Sequence, residues 1–118
     1  MTGEVTVVIP ILNEAESLPA LLAGLKAQTL RPRELIIVDA GSTDGSVPLI
    51  EAWWQHEQWD GAECRVLSVP GALPGAGRNA GVRAARYEWI AFLDGGIEPE
   101  STWLERLWAH AMRRQSSA

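Results

Sequence analysis

The chain predicts an α/β fold, a mostly parallel sheet with helices on both faces. Three observations carry that expectation. Four short apolar segments alternate along the sequence with stretches of helical periodicity. Those segments are apolar almost throughout instead of alternating with polar residues, as strands covered on both sides are. Each is followed by a loop rich in proline, glycine or short polar residues. Strands joined through helices need right-handed crossovers, which keep the strands parallel and distribute the helices over both faces.

Taken in order, Val5-Thr6-Val7-Val8-Ile9 is a β-branched run closed by Pro10 and reads as the first strand. Leu18, Leu21, Leu22 and Leu25 follow at i, i+3, i+4 and i+7, one face of a helix. Asn13 is placed to cap that helix, and Pro19 is tolerable only within its first turn. Leu35-Ile36-Ile37-Val38 is the second strand, ending at Asp39. A turn over 41–45 and a helix over about 47–59 come next. Arg65-Val66-Leu67-Ser68-Val69 is the third strand. Residues 70–77 hold two prolines and three glycines and read as a loop. A short helix over 78–86 leads to the fourth strand, Trp89-Ile90-Ala91-Phe92-Leu93. Trp103, Leu104, Leu107, Trp108 and Ala111 mark one face of a last helix, with Arg113 and Arg114 at its negative end. The tail, 115–118, is expected to fray.

At 118 residues this is one domain with a single core, since a chain of this size buries roughly two-thirds of its unfolded surface. The formal net charge of -5 argues against a nucleic-acid partner, which normally meets a basic face. Lys26 is the only lysine beside nine arginines, so an anion site here would be built from planar guanidinium forks. Cys64 is alone, which excludes an internal disulfide and points to a reducing compartment. The start has no basic leader, and no apolar run approaches the roughly 18 residues of a spanning helix. A cytoplasmic protein is the expectation.

Open α/β sheets bind ligands outside the carboxyl ends of their strands. The loops there are 10–14, 39–46, 70–78 and 94–99. Gly75, Gly77 and Gly81 superficially follow a dinucleotide fingerprint. The third glycine comes one residue late, however, and the loop follows the third strand instead of the first. No Gly-Lys-Ser/Thr occurs, which excludes a phosphate-binding P-loop. A receiver domain needs acidic residues where this chain has Pro10 to Asn13, and an aspartate where it has Pro70-Gly71. Asp94 stands out. A carboxylate directly after an apolar strand is costly to bury alone, so it should face a site or cap a helix. With a second carboxylate beside it, it would hold a divalent cation against a diphosphate. Gly95 and Gly96 follow instead.

Four segments in register carry a resemblance. Val7-Val8-Ile9-Pro10-Ile11-Leu12-Asn13-Glu14 comes first, then Ile36-Ile37-Val38-Asp39-Ala40-Gly41-Ser42-Thr43-Asp44-Gly45-Ser46. Gly77-Arg78-Asn79-Ala80-Gly81 and Ala91-Phe92-Leu93-Asp94 follow. Together they resemble family 2 glycosyltransferases of the GT-A fold, and the likeness runs on through Trp103-Leu104-Glu105. It implies a Rossmann-like, partial GT-A fold, with 1–118 a single nucleotide-sugar-binding domain truncated relative to the family. It implies inverting transfer of a sugar from a nucleotide diphosphate donor, a UDP-sugar foremost, to an acceptor hydroxyl.

The resemblance also assigns residues. Pro10, Asn13 and Glu14 would contact the nucleoside, although a helix cap at Asn13 and a first-turn charge at Glu14 explain those two as well. Asp39 would accept from a base N–H or a ribose hydroxyl, the alternative being a turn aspartate. Asp44 reads as a turn or cap residue, because Asp-Gly is a turn signal in its own right. Arg78 would fork onto the diphosphate, or else be a solvated arginine. Asn79 would bond either the ligand or its own loop. Asp94 matches the first acid of the metal-binding Asp-x-Asp motif, which brings in Mn²⁺ or Mg²⁺. Three residues depart from the family pattern. Gly96 replaces the second acid of that motif, Ala40 replaces the second acid of an Asp-Asp pair, and Leu12 replaces a frequent tyrosine. Glu98, two residues beyond the matching position, is the alternative metal ligand.

In the family the acceptor site and catalytic base come from the half that follows the Asp-x-Asp strand. Here only Glu98, Glu100, Glu105 and His110 follow Asp94 as bases, and none is assigned that role. His56, beside Trp53, Trp54 and Trp59, reads as packed or solvated. Two function classes are therefore carried forward. One is a donor-binding glycosyltransferase domain; the other is a non-catalytic nucleotide-sugar-binding or assembly module. The resembling fold sets the first strand centrally, the second and third to one side and the fourth to the other. The fourth would then be an apolar edge, with Trp103 or Trp108 also exposed, so a homo-oligomer is expected.

Overall fold

The computed structural model describes residues 2–116. Its elements are β1 (Thr2–Ile11), α1 (Leu18–Lys26), β2 (Arg31–Asp39), α2 (Ser46–Glu57), β3 (Glu63–Ser68), α3 (Pro74–Ala84), β4 (Trp89–Phe92) and α4 (Trp103–Ser116). The four strands form one parallel sheet in the order β3-β2-β1-β4. The two strands richest in β-branched residues, β1 and β2, take the centre. Their pairing runs from Thr2 opposite Arg31 to Ile11 opposite Asp39, with a register shift between Gly3 and Thr6.

Period-two alternation decides which face each side chain serves. Val5, Val7, Ile9, Ile11, Leu35 and Ile37 pack with the leucines of α1, Ile50 of α2 and Leu104 of α4. Val8, Ile36 and Val38 face the other way, against Ala80 and Ala84 of α3. Helices thus cover both faces, and the central strands need apolar residues on both. Helix α3 can come close because of Gly81, where a Cβ would lie 2.4 Å from Val8 Cγ1.

Several boundaries differ from expectation, each for a physical reason. Strand β1 continues through Pro10 to Ile11 instead of closing at Ile9. Pro10 shares the orientation of Val8, whose carbonyl accepts the Leu93 N–H on the β4 side. The missing donor of Pro10 therefore falls beyond the end of β4, where no ladder bond is lost. The expected 70–77 loop becomes helical at Pro74. Proline suits the first turn, whose N–H groups have no partner within the helix. Asn13 does not cap α1. The helix begins at Leu18 with Ser17 as its cap residue and Pro19 in the first turn, as required.

In α4, Leu104 is buried but Leu107 is exposed, so the expected apolar face is narrower. Trp103 and Trp108 are both half-buried against the core, where one exposed tryptophan was expected. Trp108 sits edge-on to Trp89 at 6.4 Å. Of the tail expected to fray, 115 and 116 belong to α4, and 117–118 lie outside the described residues.

Candidate active site

Three carboxyl-end loops are tied into one rim. Asn13 has a positive φ of 52°, which turns the chain out of β1, and its N–H donates to Ser42 Oγ at 2.9 Å. In return Asn13 Oδ1 accepts the Thr43 N–H at 2.8 Å. The Glu14 N–H donates to Ser46 Oγ and the Ala15 N–H to Asp44 Oδ2, both at 3.0 Å. Asp44 Oδ1 accepts the Ser46 hydroxyl at 2.6 Å and the Ser46 N–H at 3.1 Å. These bonds, that of the Ser46 hydroxyl first and that of the Ala15 N–H next, hold the Asp44 carboxyl below its ordinary pKa. The third loop joins through the Val69 N–H on the Asp39 carbonyl and the Gly71 N–H on the Ala40 carbonyl.

The exit of β4 closes against the first loop. A Cβ at Gly95 would lie 3.0 Å from Ile11 Cγ2 and 3.1 Å from Glu14 Cγ, so a side chain there would have to push the first loop back. The Ser17 hydroxyl spans the junction, within reach of the Gly95 carbonyl at 3.1 Å and the Glu14 carboxylate at 3.2 Å. Position 96 is open by comparison. Its nearest neighbour would be Glu14 Oε2, at 3.8 Å from a Cβ.

A cleft of about 460 Å³ lies between these loops. Pro10, Ile11 and Leu12 form its floor with Val38 and Ala40. Leu73, Pro74, Gly77 and Arg78 of α3 and its approach make one wall, and Glu14, Asp94, Gly95 and Gly96 the other. It opens where the chain order reverses, between β1 with β2 and β3 on one side and β4 on the other. That is the switch point at which such sheets bind ligands. Arg78 Nη2 donates to Asp94 Oδ1 at 3.1 Å across the cleft mouth. Both side chains are substantially exposed, so the pair is solvent-screened and aims the guanidinium more than it stabilises the fold.

Four of the sequence-assigned residues, Pro10, Glu14, Arg78 and Asp94, meet in this cleft. Three others stand elsewhere among the described residues. Asp39 is buried, and both its carboxylate oxygens accept the Ser42 N–H, at 3.1 and 3.3 Å. Asn13 is spent on the Thr43 bond. Asn79 is exposed on α3, one residue round from Arg78. Glu98 lines a neighbouring depression of about 570 Å³ with Phe92, Ile97, Trp103 and Leu107, which Arg78 and Asp94 also border. The sequence reading passed over the apolar lining. Leu12 and Leu73 are 51% and 76% exposed, each a large apolar residue in a strand-exit loop.

Known proteins resemble this chain in sequence and in fold. The sequence profile of glycosyl transferase family 2 matches residues 6–118. The chain belongs to that family. Over 110 residues the domain is 37% identical to the pre-mycofactocin glycosyltransferase of Mycobacterium tuberculosis, covering 91% of this chain and 21% of that protein. In structure it is similar to TarS 1–349 of S. aureus in complex with UDP, with a TM-score of 0.75 at 23% identity. That match covers 91% of this chain and 31% of the TarS 1–349 chain, and it confirms the GT-A fold. A second structural relative is the mannosyltransferase PcManGT of Pyrobaculum calidifontis, in complex with GDP-Man and Mn²⁺. Its TM-score is 0.64 at 26% identity, over 79% of this chain and 27% of that one. The family 2 domain described here thus spans between a fifth and a third of the length of these relatives.

Mn²⁺ in PcManGT raises the question of whether this domain is built to hold a cation. The donor set does not fit. Asp94 carries the one carboxylate of the motif, Gly96 offers none, and Asp94 is already paired with a guanidinium. Among the described residues no group of three or more histidine, cysteine or acidic side chains could hold a metal ion. A hard cation prefers six or more oxygens.

Proposed function

We propose that this family 2 domain binds a nucleotide diphosphate sugar, a UDP-sugar foremost, for inverting transfer to an acceptor hydroxyl. One observation carries the reading: the 460 Å³ cleft at the switch point of the sheet. Its floor is apolar, suited to the face of a base and ribose. Its charged lining is Arg78, Asp94 and Glu14, and the first two meet at its mouth, where the diphosphate and sugar would lie. The binding of UDP by TarS and of GDP-Man by PcManGT supports a nucleotide-bearing ligand.

The residues divide the work. Pro10, Ala40 and Leu73 would enclose the nucleoside and exclude water. Asn13 and Asp39 would act by holding the two loops, through Thr43 and Ser42, in the shape that receives it. Arg78 would fork onto the diphosphate with charge-assisted bonds, and Asn79 would serve from the same turn of α3. Mn²⁺ or Mg²⁺ has no assigned place in this reading, because the donor set around Asp94 does not fit a hard cation.

Inversion needs a base for the acceptor proton; none of Glu98, Glu100, Glu105 and His110 lines the cleft, and no base is assigned. A non-catalytic nucleotide-sugar-binding module is the second reading, favoured by Gly96 in the motif. No helix among the described residues is long and apolar enough to cross a membrane, and a cytoplasmic site of action belongs to the same proposal.

Calorimetric titration with a panel of nucleoside diphosphates tests the reading. UDP is expected to bind, and Leu73→Glu to weaken it by placing a charge on the apolar wall. Failure of every nucleoside diphosphate to bind would overturn it. Donor hydrolysis separates the two classes, since the module reading expects none.

A further inference from the structure

We infer that Arg78, not a divalent cation, neutralises the donor diphosphate in this domain. The inference deepens the nucleotide-sugar reading and rests on it. Donor count alone does not decide the matter, because Mg²⁺ accepts one or two carboxylates plus substrate phosphates. The contact between Arg78 and Asp94 does. With Nη2 at 3.1 Å from Oδ1, the guanidinium already takes one of the two oxygens of the carboxylate that a cation would use. A cation on Asp94 would sit beside a fixed positive charge, and no second acid follows at position 96 to offset that repulsion.

Arg78 is well placed to take over the charge. It lies in the second turn of α3, and the helix is seated by Gly77. A Cβ there would lie 3.4 Å from Pro10 Cβ and 3.6 Å from Val38 Cγ1. Small residues at 77 and 81 thus press the helix onto the sheet and fix the base of the arginine at the cleft wall. Asp94 then holds its far end. Only one of the five guanidinium N–H groups is needed for Asp94, which leaves the fork free to bond phosphate oxygens in the same plane. Asp94 thereby becomes a positioning residue for Arg78 and ceases to be a metal ligand. Gly96 fits this exchange, because an acid beside the arginine would compete with the diphosphate for it.

The test is titration of the 118-residue chain with UDP and with uridine, in excess EDTA and in millimolar Mn²⁺. UDP affinity is expected to agree within about twofold between the two conditions. Arg78→Ala should weaken UDP about tenfold or more in both while leaving uridine unchanged, and Arg78→Lys should recover part of the loss. Asp94→Asn should weaken UDP modestly without creating any response to Mn²⁺. Gly96→Asp has open space and an ordinary backbone conformation at that position, and should make UDP binding respond to Mn²⁺. UDP binding that appears only with Mn²⁺ in the wild type, and is lost in Asp94→Asn or Glu14→Gln, would overturn this inference alone. UDP binding in neither condition would overturn the nucleotide reading and this one with it.

Discussion

A methyl group at position 81 would meet Val8 Cγ1 at 2.4 Å, well inside contact distance. Gly81→Ala is therefore expected to destabilise the fold by about 1–3 kcal/mol, as overpacking does. A lower urea midpoint at unchanged slope would show it. Glu34 tells the opposite story, of a polar group that the core requires. It is 1% exposed, and burial alone would raise its pKa. The Arg86 N–H, the Thr6 hydroxyl and Arg65 outweigh that and hold it below its ordinary value. Because its folded pKa is lowered, Glu34 contributes stability that is present above about pH 4.5, the ordinary value, and lost as pH falls through the folded one. Glu34→Ala should cost about 1–3 kcal/mol by leaving the Thr6 hydroxyl and the Arg86 N–H without their acceptor, and Glu34→Gln should flatten the acid limb of the stability curve in thermal melts. Burial, with a smaller contribution from Glu51, pushes the Cys64 thiol up to about 12. At pH 8 roughly one such thiol in ten thousand is ionised, so a thiol reagent should label Cys64 only in denaturant.

At the scale of elements, the cleft depends on loops that fold each other. The 10–14 and 39–46 loops have little secondary structure, yet four backbone N–H groups of the two loops find their partners on side chains of the other. Ser46 is the hub. It is fully buried, its hydroxyl donates to Asp44, and the same oxygen accepts the Glu14 N–H. Ser46→Ala leaves that N–H without its partner and should cost about 1–3 kcal/mol. Hydrogen exchange at Glu14 and Ala15 should rise more than exchange in β1, marking a local loosening of the rim. Unchanged exchange there would mean that the rim holds its shape without the serine.

For the whole molecule, the sheet ends in two unlike edges. Strand β3 carries Glu63 and Arg65, charges that discourage further pairing. Strand β4 has none between Trp89 and Phe92, and beside it Phe92, Ile97 and Leu107 are each 45–50% exposed. We predict that the 118-residue chain associates with itself through β4 and α4. Light scattering at micromolar concentration should report a dimer or larger, and Phe92→Lys should return it to monomer. A stable wild-type monomer would mean that α4 alone protects the edge.

The sequence by itself determined the strand–helix alternation, the parallel sheet and the family. Each rests on local pattern: period, apolar runs, and short motifs whose order survives in one dimension. Pro10, Arg78 and Asp94 were legible for the same reason, since strand ends and following loops are local features. Tertiary structure alone decided what those residues do to one another. Nothing in the spacing of 78 and 94 says that their side chains meet at 3.1 Å. Nothing at Asn13 says that a backbone N–H thirty residues away takes its oxygen, and the sequence left Asp39 open between a ligand and the turn bond that it makes. Nor could periodicity tell Leu104, inside, from Leu107, outside, because both lie on the face that a helical wheel calls apolar. Pairing across the sheet and the close seat of α3 settle these questions, and both are set by which faces finally touch.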